Sequence, residues 1–149
     1  MNATPATKPA AARTEVVDAQ FDQALAAHRQ WMNRLARCID LDTRELEASL
    51  VAEDHHCDFG RWLYGRVHAA DKRSPHYGRV KTLHAQFHAE AGRVLALALT
   101  GRKAEAQAAL APEGRYNRLS EELVAAIAAW QQAYPGTIPA GASGQPPSP

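Results

Sequence analysis

The sequence predicts an all-α fold, a four-helix bundle with an extra short helix or turn that carries a cysteine. Three observations predict it. Apolar residues recur at steps of three and four through most of the chain, no stretch alternates with a period of two, and the apolar fraction of 46% is rich in alanine. Three long helical stretches and one short or broken stretch suit a bundle core.

In chain order, residues 1–14 are rich in Ala, Thr and Pro without periodic hydrophobics and read as a disordered lead-in. Val17, Phe21, Leu25, His28, Met32, Leu35 and Ile39 then line one stripe, predicting a helix over residues 15–39. Such a helix is about 36 Å long at 1.5 Å per residue. Thr43 suits the N-cap of a short second helix carrying Leu46, Leu50 and Val51. Ser74-Pro75 is a cap followed by a first-position proline. From there Tyr77, Val80, His84, Phe87, His88, Ala91, Val94, Leu95 and Ala98 share a face, and Gly101 supplies the stop. A further helical pattern fills residues 102–134, broken near Pro112–Gly114, with Leu119, Leu123, Ala126, Ile127 and Trp130 as its second apolar stripe. The folded domain is thus expected at residues 15–134, and residues 135–149 read as a disordered Pro/Gly/Ser tail.

Charge and composition exclude several classes. Seventeen basic and 16 acidic residues leave a formal net charge of +1, with Arg and Lys scattered over helix faces, so no nucleic-acid footprint is expected. No segment approaches the roughly 20 apolar residues that span a bilayer, and the first residues lack the apolar core of a secretory signal. Two cysteines, Cys38 and Cys57, make no disulfide framework. A reducing cytoplasm, where thiols stay free for metals, is the expected compartment.

The chemistry lies in histidines and one cysteine. His84 and His88 project from one helix face about one turn apart, among Val80, Phe87 and Ala91. Two adjacent imidazoles on an apolar face need partners, because their desolvation is costly. His28 sits on the apolar stripe of the first helix between Leu25 and Met32, as either a hydrogen-bonded core residue or a ligand. Cys57, beside the turn-forming Gly60, adds a soft donor from a third element. Imidazole with thiolate is zinc chemistry, and one cysteine with three histidines closes a tetrahedral shell. His55 and His56 are the competing donors in a polar, acidic run, where surface roles are the simpler reading. His68 and His76 are expected in an exposed loop, and Cys38 as a buried thiol too far along the helix axis to reach the metal. Phe59, Trp62, Leu63 and Tyr64 fit a short amphipathic turn packed over the bundle, with Trp31 near them.

His28-x-x-Trp31, Cys57-Asp-Phe-Gly60-Arg-Trp62-Leu-Tyr64 and His84-x-x-x-His88 resemble the chemoreceptor zinc-binding domains of bacteria, over roughly residues 18–134. The resemblance implies that His28, Cys57, His84 and His88 bind one Zn2+ in a helical bundle, with Trp31, Phe59, Gly60 and Trp62 packed around it. It also implies a homodimer, and cytosolic sensing of zinc or of oxidants such as hypochlorous acid through Cys57. Such domains serve chemoreceptors or diguanylate cyclases. Neither a receptor signalling helix nor a cyclase is read in these residues, so the expected output acts on a partner in trans. The alternatives are a zinc-buffering or structural interaction module, or a zinc-dependent hydrolase. Against the hydrolase, His-Glu-x-x-His is missing and Glu90 is expected to face away from the ligands. A di-iron bundle needs a Glu-x-x-His from each of two helices and bridging carboxylates; Glu53-x-x-His56 stands alone in a polar run, and the bridging carboxylates are missing.

Overall fold

A computed structural model describes residues 10–44 and 46–133, with side chains from residue 18 onward. Most of the expected lead-in (residues 1–9), the whole expected tail and the Val17 side chain lie outside the described residues. Within them the fold is all-α, and no strand occurs among the described residues.

Helix α1 runs Ala10–Leu41, starting five residues before the predicted residue 15. Its alanine-rich first turns have the intrinsic propensity to be helical without an apolar stripe, which is why periodicity alone placed the start too late. Its end is set by Asp42, whose φ of 52° is left-handed, and by the Thr43 N–H donating to the Cys38 carbonyl at 3.2 Å. That six-to-one bond is the Schellman closure of a helix. Thr43 therefore terminates α1. It does not cap the next helix, as its sequence position suggested.

The short helix α2 covers Ala48–Ala52, with Glu47 at its N-cap and no side-chain cap. Helix α3, Asp58–Arg61, passes directly into a π-helical turn over Trp62–Arg66. After a 3-10 turn at Asp71–Arg73, helix α4 covers Pro75–Leu99. The Ser74 Oγ accepts the His76 N–H at 3.2 Å and Pro75 opens the helix, as the sequence predicts. His76 thus belongs to the first turn of α4, half-buried, and of these two histidines only His68 is an exposed loop residue. Gly101, with φ 81°, ends α4 through the Arg102 N–H to Leu97 carbonyl bond at 2.8 Å. Helices α5, Lys103–Ala109, and α6, Arg115–Ala133, flank the predicted break.

Helix α4 is the central element, packed against α1, α2, α5 and α6. Its apolar face meets Phe21 and Leu35 of α1 and Tyr116, Leu123, Ile127 and Trp130 of α6 in one buried core. A smaller cluster of Ile39, Val94, Leu97, Ala106 and Ala109 seats α5 against the far end. The short α2–α3 segment completes the side of the bundle that α6 leaves open. Gly92 makes that closure possible, because a Cβ there would lie 2.6 Å from the Ala52 Cβ and 2.8 Å from the Ala48 carbonyl oxygen. The close crossing holds the end of α2 against α4 one turn beyond His88.

Candidate metal centre

Three imidazoles meet inside the bundle. His28 from α1 and His84 and His88 from α4 are 1%, 0% and 2% exposed, and one nitrogen of each lies within 4.8 Å of the others. Ring centroids are 5.5 Å apart for His28 and His84 and 4.6 Å for His84 and His88. Cys57 joins through His84, with its Sγ 3.3 Å from the His84 Nε2. The sulfur is the N-cap of α3, accepting the Gly60 N–H at 3.2 Å, and the residue is only half-buried.

The outer nitrogens of two histidines are anchored. His28 Nδ1 lies 2.6 Å from the Ala24 carbonyl oxygen, and His88 Nδ1 lies 2.8 Å from that of Val51 in α2. Each carbonyl accepts an N–H, which fixes the tautomer and leaves the Nε2 lone pair facing inward. Neither Nε2 has a hydrogen-bond partner in the protein, and both are buried. His84 points its Nε2 at the sulfur, while its partnerless Nδ1 lies 3.8 Å from the Asp54 carboxylate. Buried polar atoms without partners are rare, and the two Nε2 atoms of His28 and His88 mark a place suited to a metal ion. Carbonyls behind imidazoles are the usual surroundings of a histidine metal ligand.

Burial also sets the charge states. Desolvation pulls the His28 imidazole down to about 4, with the neighbouring His88 adding to it. His84 falls to about 2, from desolvation and then from His88 and His28, and burial lowers His88 as well. All three are therefore neutral at pH 7, the form that donates to a metal. Burial pushes the Cys57 thiol up, against the Gly60 and Phe59 N–H groups. A cation is what reverses that shift, since metal charge favours thiolate. Neutral imidazoles, inward lone pairs and one thiol fit a zinc ion.

The family model of the chemoreceptor zinc-binding domain matches residues 28–95, a span that begins at His28 and contains Cys57, His84 and His88. Over that span the chain is similar to that family. Neither the curated proteins nor the solved structures gave a match. Chemoreceptor zinc-binding domains are regulatory zinc-binding modules and not a known enzyme family.

Other expected residues fall as follows. Trp31 packs edge-on against His88 at 5.9 Å between ring centroids, and the Arg34 guanidinium lies over the Trp31 ring, 4.6 Å from its centroid. Phe59 meets the His84 ring at 5.2 Å and the His28 ring at 5.9 Å, and stacks on Trp62 at 5.7 Å. Cys38 is buried in the core, away from the histidines. His55 and His56 are exposed and outside the buried group. Glu90 is buried, pairs with Arg93 and Arg115, and is outside the histidine group. The role of Gly60 differs from the turn flexibility its sequence context suggested. Its φ is not left-handed; instead a Cβ would sit 1.8 Å from the Asp54 carbonyl oxygen, so the Asp54–Cys57 loop folds directly over it.

Sequence reasoning missed Asp54, which faces His84 and accepts the Tyr64 hydroxyl at 2.5 Å. Its only sequence signal is an acid three residues before the cysteine. A groove of about 660 Å³ between α1 and the α2–α3 segment reaches His28, Cys57 and His88 from solvent. No helix is long and apolar enough to cross a membrane among the described residues.

Proposed function

We propose that this chain is a zinc-dependent sensory module whose closed site, His28, Cys57, His84 and His88, reports zinc availability or oxidants of the hypochlorous acid type. The observation that carries the reading is the convergence of buried, partnerless imidazole nitrogens beside one half-buried sulfur. Bound zinc would occupy the inward lone pairs and hold Cys57 as a thiolate.

The four donors differ in how they are held. Three histidines stand on long helices, and Cys57 stands on a four-residue helix at the groove. Hypochlorous acid reaching the groove meets this sulfur. The thiolate takes the oxygen to become a sulfenic acid, and chloride leaves. Cys57 then loses its role as donor and as cap of Gly60. The freed turn carries Phe59 and Trp62, and Trp62 touches Phe21 of α1 at 5.4 Å and Trp130 of α6 at 5.6 Å. A change at the sulfur thereby reaches two long helices, the kind of output a partner can read.

In this reading the protein works in the cytoplasm as a homodimer, acting in trans on a chemoreceptor or a diguanylate cyclase. The half-buried position of Cys57 favours sensing over zinc buffering or a purely structural role. Four protein donors leave no position for a catalytic water, which disfavours a hydrolase. Metal analysis of the purified protein and of His28, Cys57, His84 and His88 variants tests the site. One tightly held zinc per chain, lost in each variant, is expected. A Cys57→Ser protein with wild-type zinc affinity and oxidant response refutes the mechanism.

A further inference from the structure

We infer that Glu53, His55 and His56 form a second, solvent-facing site for a borderline divalent cation such as zinc, separate from the buried centre. One donor atom from each lies within 4.8 Å of the others. Glu53 Oε2 is 2.5 Å from His56 Nε2 and 3.5 Å from His55 Nε2. The two imidazoles lie with centroids 4.4 Å apart and planes tilted by 35°, and the Nε2 of each is the atom near that carboxylate. A hydrogen bond between Glu53 and His56 accounts for one of these rings and not for the other.

The local backbone produces this arrangement. Helix α2 ends at Ala52 and α3 begins at Asp58, and the intervening turn folds three donors, spaced i, i+2 and i+3, onto one side. Two imidazoles with one carboxylate suit zinc, copper or nickel, whereas calcium and magnesium prefer all-oxygen shells. The Asp54 carboxylate lies 4.0 Å from the His55 Nδ1 and adds negative charge beside that ring. Glu53, Asp54 and Asp58 give the turn a negative field. Arg61, the nearby cation, is engaged by Asp58 and by the His56 carbonyl. Glu53 and His56 also line the groove that reaches Cys57, so an ion held there sits on the solvent route to the buried centre.

The side chains are 58% exposed at His55, 52% at His56 and 46% at Glu53. Binding must order them, so this site is weaker than the buried one, on the order of 100-fold. The test is a zinc titration of the untagged full chain, with cobalt(II) as a spectroscopic probe. Two equivalents are expected, a tight one with thiolate-to-cobalt charge transfer and a weaker one without it. The surface variant His55→Ala/His56→Ala should lose the weaker equivalent and keep the tight one, and Cys57→Ser should do the reverse. A wild type that binds only the tight, thiolate-bound equivalent, or a weaker equivalent that survives His55→Ala/His56→Ala, overturns the inference. A wild type that binds only the weaker equivalent, with no thiolate-to-cobalt charge transfer, would instead overturn the reading of the buried centre.

Discussion

Replacing Gly92 with alanine separates the support of the metal centre from its ligands, because Gly92 touches no donor atom. A Cβ there would lie 2.6 Å from the Ala52 Cβ, 2.8 Å from the Ala48 oxygen and 3.0 Å from the Ala52 Cα. Carbon atoms in contact sit about 3.5–4.0 Å apart, so α2 has to retreat by roughly 1 Å. Two of the three obstructing atoms are backbone, so no rotamer change relieves the clash. Val51, on the same short helix, presents the carbonyl that holds His88 Nδ1 at 2.8 Å. A retreat of roughly 1 Å stretches that contact beyond hydrogen-bonding range. Overpacking costs about 1–3 kcal/mol, and alanine regains about 1 kcal/mol of helix propensity, for a net loss of about 0–2 kcal/mol. Losing the partner behind a metal ligand weakens affinity by about 10–100-fold. Competition against a chromophoric chelator measures the second effect, and thermal melting of metal-free protein measures the first. Zinc affinity within twofold of wild type, whatever the melting temperature does, refutes the coupling of α2 to His88.

Three further outcomes follow from the same geometry. Gly60→Ala places a Cβ 1.8 Å from the Asp54 oxygen and should dislodge the Asp54–Cys57 loop; zinc affinity falls at least about tenfold while far-ultraviolet circular dichroism stays wild-type. Wild-type affinity in that variant would show that the loop does not position the sulfur. Metal-free protein should lose stability as pH falls below about 6.5, because the unfolded chain then binds protons that buried His28 refuses until about pH 4 and His84 until about pH 2. Above the unfolded value neither state takes the proton, and the penalty is absent. At His28 alone the loss across that window is on the order of 3 kcal/mol, and a melting temperature flat between pH 7 and pH 5, above the ordinary carboxylate range, would contradict it. Chelation should lower the melting temperature without unfolding the chain at room temperature, since the core of Phe21, Leu35, Phe87, Leu123 and Trp130 is continuous without metal; complete loss of helical signal on chelation would disprove this.

The parts of the fold that sequence reveals are those set by local chemistry. Ser74-Pro75, Gly101 and the break near Pro112–Gly114 act through backbone geometry within one turn, and each falls where expected. The stripes of α1 and α4 likewise place His28, His84 and His88 inward, because periodicity specifies which face is buried. What stays hidden depends on distant atoms. Gly60 and Gly92 are small because other segments cross them, and nothing beside them in sequence says so. Thr43 carries the sequence mark of an N-cap, yet its N–H closes α1, since the left-handed Asp42 lets the chain turn back first. The carbonyl of Val51 and the carboxylate of Asp54 are ordinary until the fold brings them beside His88 and His84.

The unequal attachment of the four donors decides what the proposed sensor can report. Helices α1, α4 and α6 share a core that does not pass through the metal, so the imidazoles keep their places whatever happens to the ion. Helix α3 has four residues, far below the roughly 12 that give an isolated helix even marginal stability. It persists because the Cys57 sulfur caps it and because Phe59 and Trp62 are buried beneath it. Of these supports only the sulfur responds to metal or oxidant. The two rings respond to geometry alone, and they lie between the histidines on one side and Phe21 and Trp130 on the other. A perturbation at the sulfur therefore has a mechanical route through Phe59 and Trp62 into the packing of α1 against α6. An oxidant signal that survived intact in a variant with that aromatic link removed would instead have to travel through the sulfur's other neighbours, His84 of α4 and the Asp54–Cys57 loop.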